Sequence, residues 1–187
     1  MDTVKEILHD VEVKMKKTVE ATHREFNTVR TGRASPALVE GLRIDYYGQE
    51  VPIRQIAGIS TPDARLIVIQ PWDPTALPGI EKAILKSDIG ITPNNDGKII
   101  RLSVPPLTQE RREELVKLIK KMLEDGKISL RTARHAANDA IDKLEKDKKI
   151  SEDGKFNGHK EAQRLIEKYT EEIDALFKTK EEEITGH

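Results

Sequence analysis

The sequence predicts an α+β protein: an elongated three-helix bundle with a small α/β domain inserted between its first and second helices. Three observations predict it. Both ends of the chain repeat an apolar residue at every third or fourth position, as a helix with one buried face does. The stretch 31–104 instead alternates, and carries short β-branched runs punctuated by Gly and Pro. Charged residues make up 35% of the 187 against 4% aromatic, which suits long solvent-bathed helices better than a thick globule.

The first helix rests on Val4, Leu8, Val11, Met15, Val19, Thr22, Phe26 and Val29, a single stripe along about seven turns. It is expected to run from 3 to 30 and to end before "RTGRASP", where Gly32 and Pro36 break it. "LRIDYYG" puts Leu42, Ile44 and Tyr46 on one strand face, "YGQE" turns, and "VPIRQI" returns as a second strand. "LIVIQ" (66–70) is short, β-branched and apolar, a buried strand, and Trp72 just after it reads as packing at the strand end. "IEKAILKSD" is a short helix after Pro78. "PNNDG" then turns the chain into a last strand, "KIIRLSV", which stops at Pro105-Pro106.

Helix returns at Thr108, an N-cap residue type with Glu110 in the first turn. Its stripe is Leu115, Ile119, Met122, Leu130, Ala133, Ala137, Ile141 and Leu144. Gly126 interrupts it, at a cost near 1 kcal/mol relative to alanine, for either a close helix contact or a bend. After a break near "DKKIS", Ser151 with Glu152 and Asp153 opens a last helix with the stripe Ala162, Leu165, Tyr169, Ile173 and Leu176. Gly154 and Gly158 weaken its first turns and are expected on a solvent face. Helices with one apolar stripe are unstable alone, so three of them need one another. The bundle is assigned to 1–30 and 105–187, and the inserted domain to 31–104. Two segments of chain then join them. These are the expected hinge: Arg30, Thr31, Gly32 and Arg33 on one, Val104, Pro105 and Pro106 on the other.

Several function classes are excluded at this level. There is no cysteine, hence no disulfide or thiolate site. "MDTVKEILHD" has acids where a signal peptide needs an apolar run, and no apolar run approaches the roughly 20 residues that span a membrane. A soluble, cytoplasmic protein without a membrane partner is expected. Nucleotide-binding and zinc-hydrolase motifs are absent, and the histidines at 9, 23, 135, 159 and 187 lack ligand spacing. No metal, cofactor or enzymatic activity is expected.

Net charge is −1, yet residues 105–150 hold twelve basic and nine acidic side chains, and residues 151–187 hold six and ten. Within "ISLRTARHAAND" the basic groups share one side. On a helical wheel with Leu130 at zero, Arg131, Arg134, His135 and Asn138 fall between roughly 40° and 140°, beside the apolar face. Lys117, Lys120 and Lys127 join that sector, as do Glu113 and Glu124, so it is not purely basic; from Lys117 to Asn138 it is about 32 Å long. One reading is a solvated face with i,i+4 pairs. The other is contact with RNA or another polyanion. Arginine's planar fork suits phosphate oxygens, no acid interrupts 127–138, and Ala133, Ala136 and Ala137 leave the arginines unshielded. A coiled-coil interaction module or holdase, binding proteins through its helices, is a third reading.

Eight runs carry a resemblance: "VRTGRASP" (29–36), "DYYG" (45–48), "VPIRQIA" (51–57), "IQPWD" (69–73), "IEKAI" (80–84), "NDGKIIRL" (95–102), "PPLTQERREELVK" (105–117) and "ISED" (150–153). In this order the chain resembles the ribosome recycling factor family along essentially its whole length. The resemblance implies an L-shaped monomer of two domains joined by a hinge. It implies entry into the ribosomal A site after peptide release, and splitting of the ribosome into subunits with elongation factor G and GTP. It also implies contact with large-subunit rRNA through the arginine-rich helix, where Arg131, Arg134 and Asn138 match the family pattern. His135 stands where the pattern has a second arginine and Ala136 where it has an aspartate.

Overall fold

A computed structural model of the protein describes residues 3–186. In chain order its elements are α1 (Val4–Asn27), β1 (Arg43–Tyr46), β2 (Gln49–Pro52), β3 (Ala57–Asp63), β4 (Leu66–Pro71), α2 (Leu77–Lys86), β5 (Asn94–Asn95), β6 (Ile100–Ser103), α3 (Gln109–Lys146) and α4 (Glu152–Thr185). The fold is α+β, and the chain divides into two compact units, Met1–Arg30 with Gln109–His187, and Thr31–Thr108.

In the helical unit each end is set by local chemistry. Thr3 and Glu6 form a reciprocal capping box: Glu6 N–H donates to Thr3 Oγ1 at 3.2 Å, and Thr3 N–H to Glu6 Oε2 at 2.9 Å. α1 stops at Asn27, short of the expected 30, because Thr28 turns back and donates its hydroxyl to Glu25 O at 2.6 Å. Val29, the last residue of the apolar stripe, is still buried, but from the loop. α3 ends with Lys148 at φ 56°. There Lys149 N–H reaches Leu144 O at 2.8 Å and Lys148 N–H reaches Glu145 O at 2.9 Å, the paired bonds of a left-handed helix stop. Ser151 Oγ then caps α4 by accepting Gly154 N–H at 3.1 Å.

The three helices bury Val11, Met15 and Val19 of α1, Leu130 and Ala137 of α3, and Ile166, Tyr169 and Ile173 of α4 in one core. On α4 the buried residue is Ile166; Leu165, expected there, is only partly covered, since the stripe drifts by one position along 34 residues. Burial, reinforced by the Glu12 carboxylate, pushes the Tyr169 hydroxyl up to about 12. Gly126 is a point of closest approach. A Cβ there would lie 2.5 Å from Ile173 Cδ1 and 2.7 Å from Thr22 Oγ1, so the glycine admits α1 and α4 to the backbone of α3. Gly158, expected on a solvent face, is buried: a Cβ would meet Ile141 Cδ1 at 3.1 Å and Val4 Cγ1 at 3.2 Å. Its missing side chain lets the neighbouring helices approach α4.

The second unit holds a two-stranded sheet, β1–β2, and a four-stranded antiparallel sheet in the order β3-β4-β6-β5. "VPIRQI" is not one strand: β2 ends at Pro52 and Ile53–Gln55 is a single 3-10 turn. β3 is an element that sequence reading overlooks. Gly58 and Pro62 disguise it, and Pro62 is tolerated because the register slips between Ser60 and Asp63. "PNNDG" is in part a strand, with Asn94 and Asn95 paired to Arg101 and Ile100. Ile44, Ile53, Ile67, Ile69, Ile80, Ile84, Ile100 and Leu102 make a wholly aliphatic centre. Trp72 does not pack at the strand end as expected; it is 70% exposed. Strand alternation explains this, because Ile67, Ile69 and Pro71 take the inward positions and leave 70 and 72 facing out.

Two turns in this unit use left-handed backbone. Tyr47 and Gly48, at φ 52° and 81°, form the two-residue loop between β1 and β2. For tyrosine that conformation costs roughly 1–2 kcal/mol. Gly32, at φ 76°, sits against Leu107, whose Cγ would be 3.0 Å from a Cβ. The segments around these residues are both tied to the β3–β4 turn: Ala34 N–H donates to Ala64 O and Val104 N–H to Arg65 O, each at 2.8 Å.

Gly126→Ala is expected to destabilise the protein although alanine is the better helix former by about 1 kcal/mol. Overpacking against Thr22 and Ile173 costs about 1–3 kcal/mol and decides the sign. The urea midpoint should fall, and Ile173→Val, which removes the clashing Cδ1, should recover part of the loss in the double variant. A midpoint at or above that of the wild type would show that the three helices do not need the glycine.

Candidate functional site

The basic sector of α3 exists because one helix of 38 residues keeps its register. Leu115, Ile119, Leu130, Ala137, Ile141 and Leu144 are buried, and this fixes the rotation of the helix. The polar positions beside them are then carried along one edge. Lys117, Lys120, Arg131 and His135 are exposed, while Lys127, Arg134 and Asn138 are half-buried.

The arginines are not unshielded, as the alanines at 133, 136 and 137 suggest. Arg131 Nη2 is 2.8 Å from Glu124 Oε1, two turns earlier on the same helix. Lys127 Nζ is 2.8 Å from Asp174 Oδ1 of α4. Arg134 Nη1 donates to Gln163 Oε1 of α4 at 2.8 Å, and Gln163 Nε2 in turn donates to Glu167 Oε1 at 3.0 Å. Further along the same seam His159 Nε2 lies 2.7 Å from Asp142 Oδ1. Asp174 and, through Gln163, Glu167 of the last helix thus lie beside Lys127 and Arg134, while the Asp142–His159 pair runs the other way, with its acid on α3. Exposed pairs of this kind contribute about 0–1 kcal/mol, so they hold side chains in place at little energy and can exchange partners.

Two parts of the sector are left uncommitted. Among the described residues, no side-chain hydrogen bond or ion pair engages Lys117, Lys120 or His135. The Oδ1 atom of Asn138 is buried without a hydrogen-bond partner, and an unmet acceptor at that depth is costly. Lys117 and Lys120 line a groove with Gln109, Arg112, Glu113, Val116 and Thr185, the last residue of α4. Arg112 was not singled out by sequence reasoning, because on the wheel it falls at about the angle of Leu130 and so within the apolar face. Its Nε is buried and unpartnered. The signal that could have found it is an arginine on the core line of a helix.

The expected hinge residues fall where the units meet along the chain. Arg30 closes the first segment of the helical unit, and Thr31, Gly32, Arg33, Val104, Pro105 and Pro106 belong to the other unit. Among the described residues no group of His, Cys, Asp and Glu could hold a metal ion, and no helix is long and apolar enough to cross a membrane.

A helical bundle interrupted by a small α/β unit, with its charge gathered along helix edges, has the architecture of a two-unit translation factor. The ribosome recycling factor family profile matches residues 22–185. The chain belongs to the ribosome recycling factor family, and its place is in protein biosynthesis, at ribosome recycling. It is 52% identical over 181 residues to the ribosome-recycling factor of Carboxydothermus hydrogenoformans, covering 97% of this chain and 98% of that one. The factor of Natranaerobius thermophilus is 51% identical over 180 residues, covering 96% and 98%. Among solved structures, the solution structure of a ribosome recycling factor matches at 42% identity with a TM-score of 0.78, covering all of both chains. A second match, at 39% identity and a TM-score of 0.66, covers 98% of this chain and 99% of that one. It comes from models of the T. thermophilus ribosome recycling factor and E. coli elongation factor G bound to the E. coli post-termination complex.

Asp174→Asn combined with Glu124→Gln removes the two carboxylates that hold Lys127 and Arg131 but keeps oxygen acceptors in place. Stability should change by less than about 1 kcal/mol. Elution from heparin or immobilised RNA should move to higher salt, because two more cations become available to phosphate or sulfate. Elution at unchanged or lower salt would mean that this edge is not the polyanion-binding surface.

Proposed function

We propose that the protein splits the post-termination ribosome into subunits after peptide release, together with elongation factor G and its GTP hydrolysis. In this reading it is a monomer in the cytoplasm that enters the A site and grips large-subunit rRNA through the edge of α3. The observation that carries the reading is the alignment of Lys117, Lys120, Lys127, Arg131, Arg134, His135 and Asn138 along one edge of a single helix. Support comes from family membership, and from the related factor that has been placed with elongation factor G on the post-termination complex.

The chain supplies no proton, nucleophile or metal in this scheme. The rigid bundle is the anchor. Phosphate oxygens replace Glu124, Gln163 and Asp174 as partners of Arg131, Arg134 and Lys127, an exchange that weak surface pairs allow. His135 stands in place of a second arginine and lacks the guanidinium fork that suits phosphate, so Arg131, Arg134 and the lysines carry the contact. The smaller unit is the arm on which elongation factor G pushes. Both connecting segments are fastened to residues 64 and 65 of one turn, so displacing one pulls on the other. Such a joint transmits a push in a defined direction where a single linker would absorb it.

Two variants separate grip from transmission. Arg134→Ala should weaken ribosome binding by about 1–3 kcal/mol, the scale of a lost charge-assisted hydrogen bond, with helix content intact. Unchanged affinity in sedimentation with purified ribosomes would remove the residue from the interface. Gly32→Val forces a β-branched residue to φ 76° against Leu107, and should reduce subunit splitting more than ribosome binding. Equal loss of both would count against a transmitting joint.

A further inference from the structure

Three buried polar atoms share one stretch of the seam between α3 and α4 and make no hydrogen bond among the described residues. They are Asn138 Oδ1, Asp142 Oδ1 and His159 Nε2. His159 Nε2 lies 2.7 Å from Asp142 Oδ1, yet the two atoms are not aligned as donor and acceptor. Lys155 Nζ stands 4.0 Å from the same carboxylate oxygen, at the limit of an ion pair. One unmet buried polar atom is costly, and three in one place call for a common reason.

The helices bring these side chains together. α3 and α4 run antiparallel here, with Arg134 meeting Gln163 and Asp142 meeting His159. Asn138 lies midway between those two contacts. It is one turn from Asp142 on the same face of α3, so its oxygen enters the seam from the same side. The i,i+4 spacing is the one by which a helix offers two ligands to a single metal ion. Gly158 and Ile141, the immediate neighbours of His159 and Asp142, are in tight contact: a Cβ on Gly158 would stand 3.1 Å from Ile141 Cδ1. The ligand-bearing turns are therefore held against each other by packing.

We propose that Asn138, Asp142 and His159 form a binding site for a divalent transition-metal ion such as Zn²⁺, Ni²⁺ or Co²⁺, which clamps α3 to α4. An imidazole nitrogen suits these ions, whereas Mg²⁺ and Ca²⁺ prefer oxygen alone. Two ligand atoms about 2.1 Å from one ion and at right angles to each other stand about 3 Å apart. Asp142 Oδ1 and His159 Nε2, at 2.7 Å, need separate only slightly to receive it. His, Cys, Asp and Glu alone give too few ligands here, and an amide oxygen completes the set. A plain His–Asp ion pair would direct the ring N–H at the carboxylate, and it would leave Asn138 Oδ1 unmet. Lys155 competes for the same oxygen and swings away when the ion enters. Metal binding here is independent of whether α3 grips rRNA.

The test is metal titration of the full chain, read by NMR of its histidine rings and by melting temperature. Ni²⁺ should broaden the His159 ring at roughly tenfold lower concentration than the exposed rings of His9, His23 and His135, which serve as internal controls. Zn²⁺ at tenfold excess over its Kd should raise the melting temperature by roughly 3–5 °C, and EDTA should reverse the rise. His159→Gln should abolish that shift. Asp142→Asn and Asn138→Ala should each weaken Ni²⁺ binding roughly tenfold. Lys155→Met removes the competing cation and touches no ligand, so it should tighten binding, and it keeps the test open if a ligand variant fails to fold. If all the histidine rings broaden together, or the Zn²⁺ shift survives in His159→Gln, the seam holds no metal site. Unchanged Ni²⁺ affinity in both Asn138→Ala and Lys155→Met would overturn it equally.

Discussion

At Gly126 three helices come too close for a side chain. Thr22 of α1 and Ile173 of α4 both lie within 3 Å of where a Cβ would stand on α3. Interiors pack as densely as organic crystals, so a contact this tight fixes the lateral position of all three helices at once. It also fixes rotation. With Gly126 turned inward, Leu130, Ala137 and Ile141 must follow it into the core, and the polar positions 127, 131, 134 and 138 are left along the edge beside α4. Gly158 repeats the device nearer the other end, where Ile141 and Val4 close on α4. A looser bundle could rotate its helices by a fraction of a turn, and the row of cations would not stay in line.

The edge that results is not a bare positive stripe. Its cations are held by Glu124, Gln163 and Asp174 in pairs that cost little to break. Such an edge is ordered without being satisfied. The long side chains of Lys127, Arg131 and Arg134 are restrained in the free protein.

The smaller unit follows another logic. Its core is aliphatic, built by β-branched residues at alternate strand positions; Tyr46 packs partly against it, and Tyr47 and Trp72 are exposed. Both segments that lead to the helical unit are bonded to adjacent carbonyls of one turn, Ala64 and Arg65.

The sequence by itself determined the helices, their apolar faces, the interrupted bundle and the order of most strands. Periods of 3.6 and 2 are written in consecutive residues and need no partner to be read. It also showed the cations of α3 in one sector. It hid β3, whose glycine and proline are legible only beside β4, where the register slip excuses them. It put Gly158 on the solvent side and had Trp72 packing at a strand end, because burial depends on which neighbour arrives and not on residue type. Gly126 stood undecided between bend and contact until α1 and α4 were both in view. Arg112 vanished into the apolar stripe, and Arg131, Arg134 and Lys127 looked free because their partners lie one to several turns away or on another helix. Local pattern fixes what each segment is. Only tertiary packing decides what each side chain touches, because contacts are made between residues that are distant along the chain.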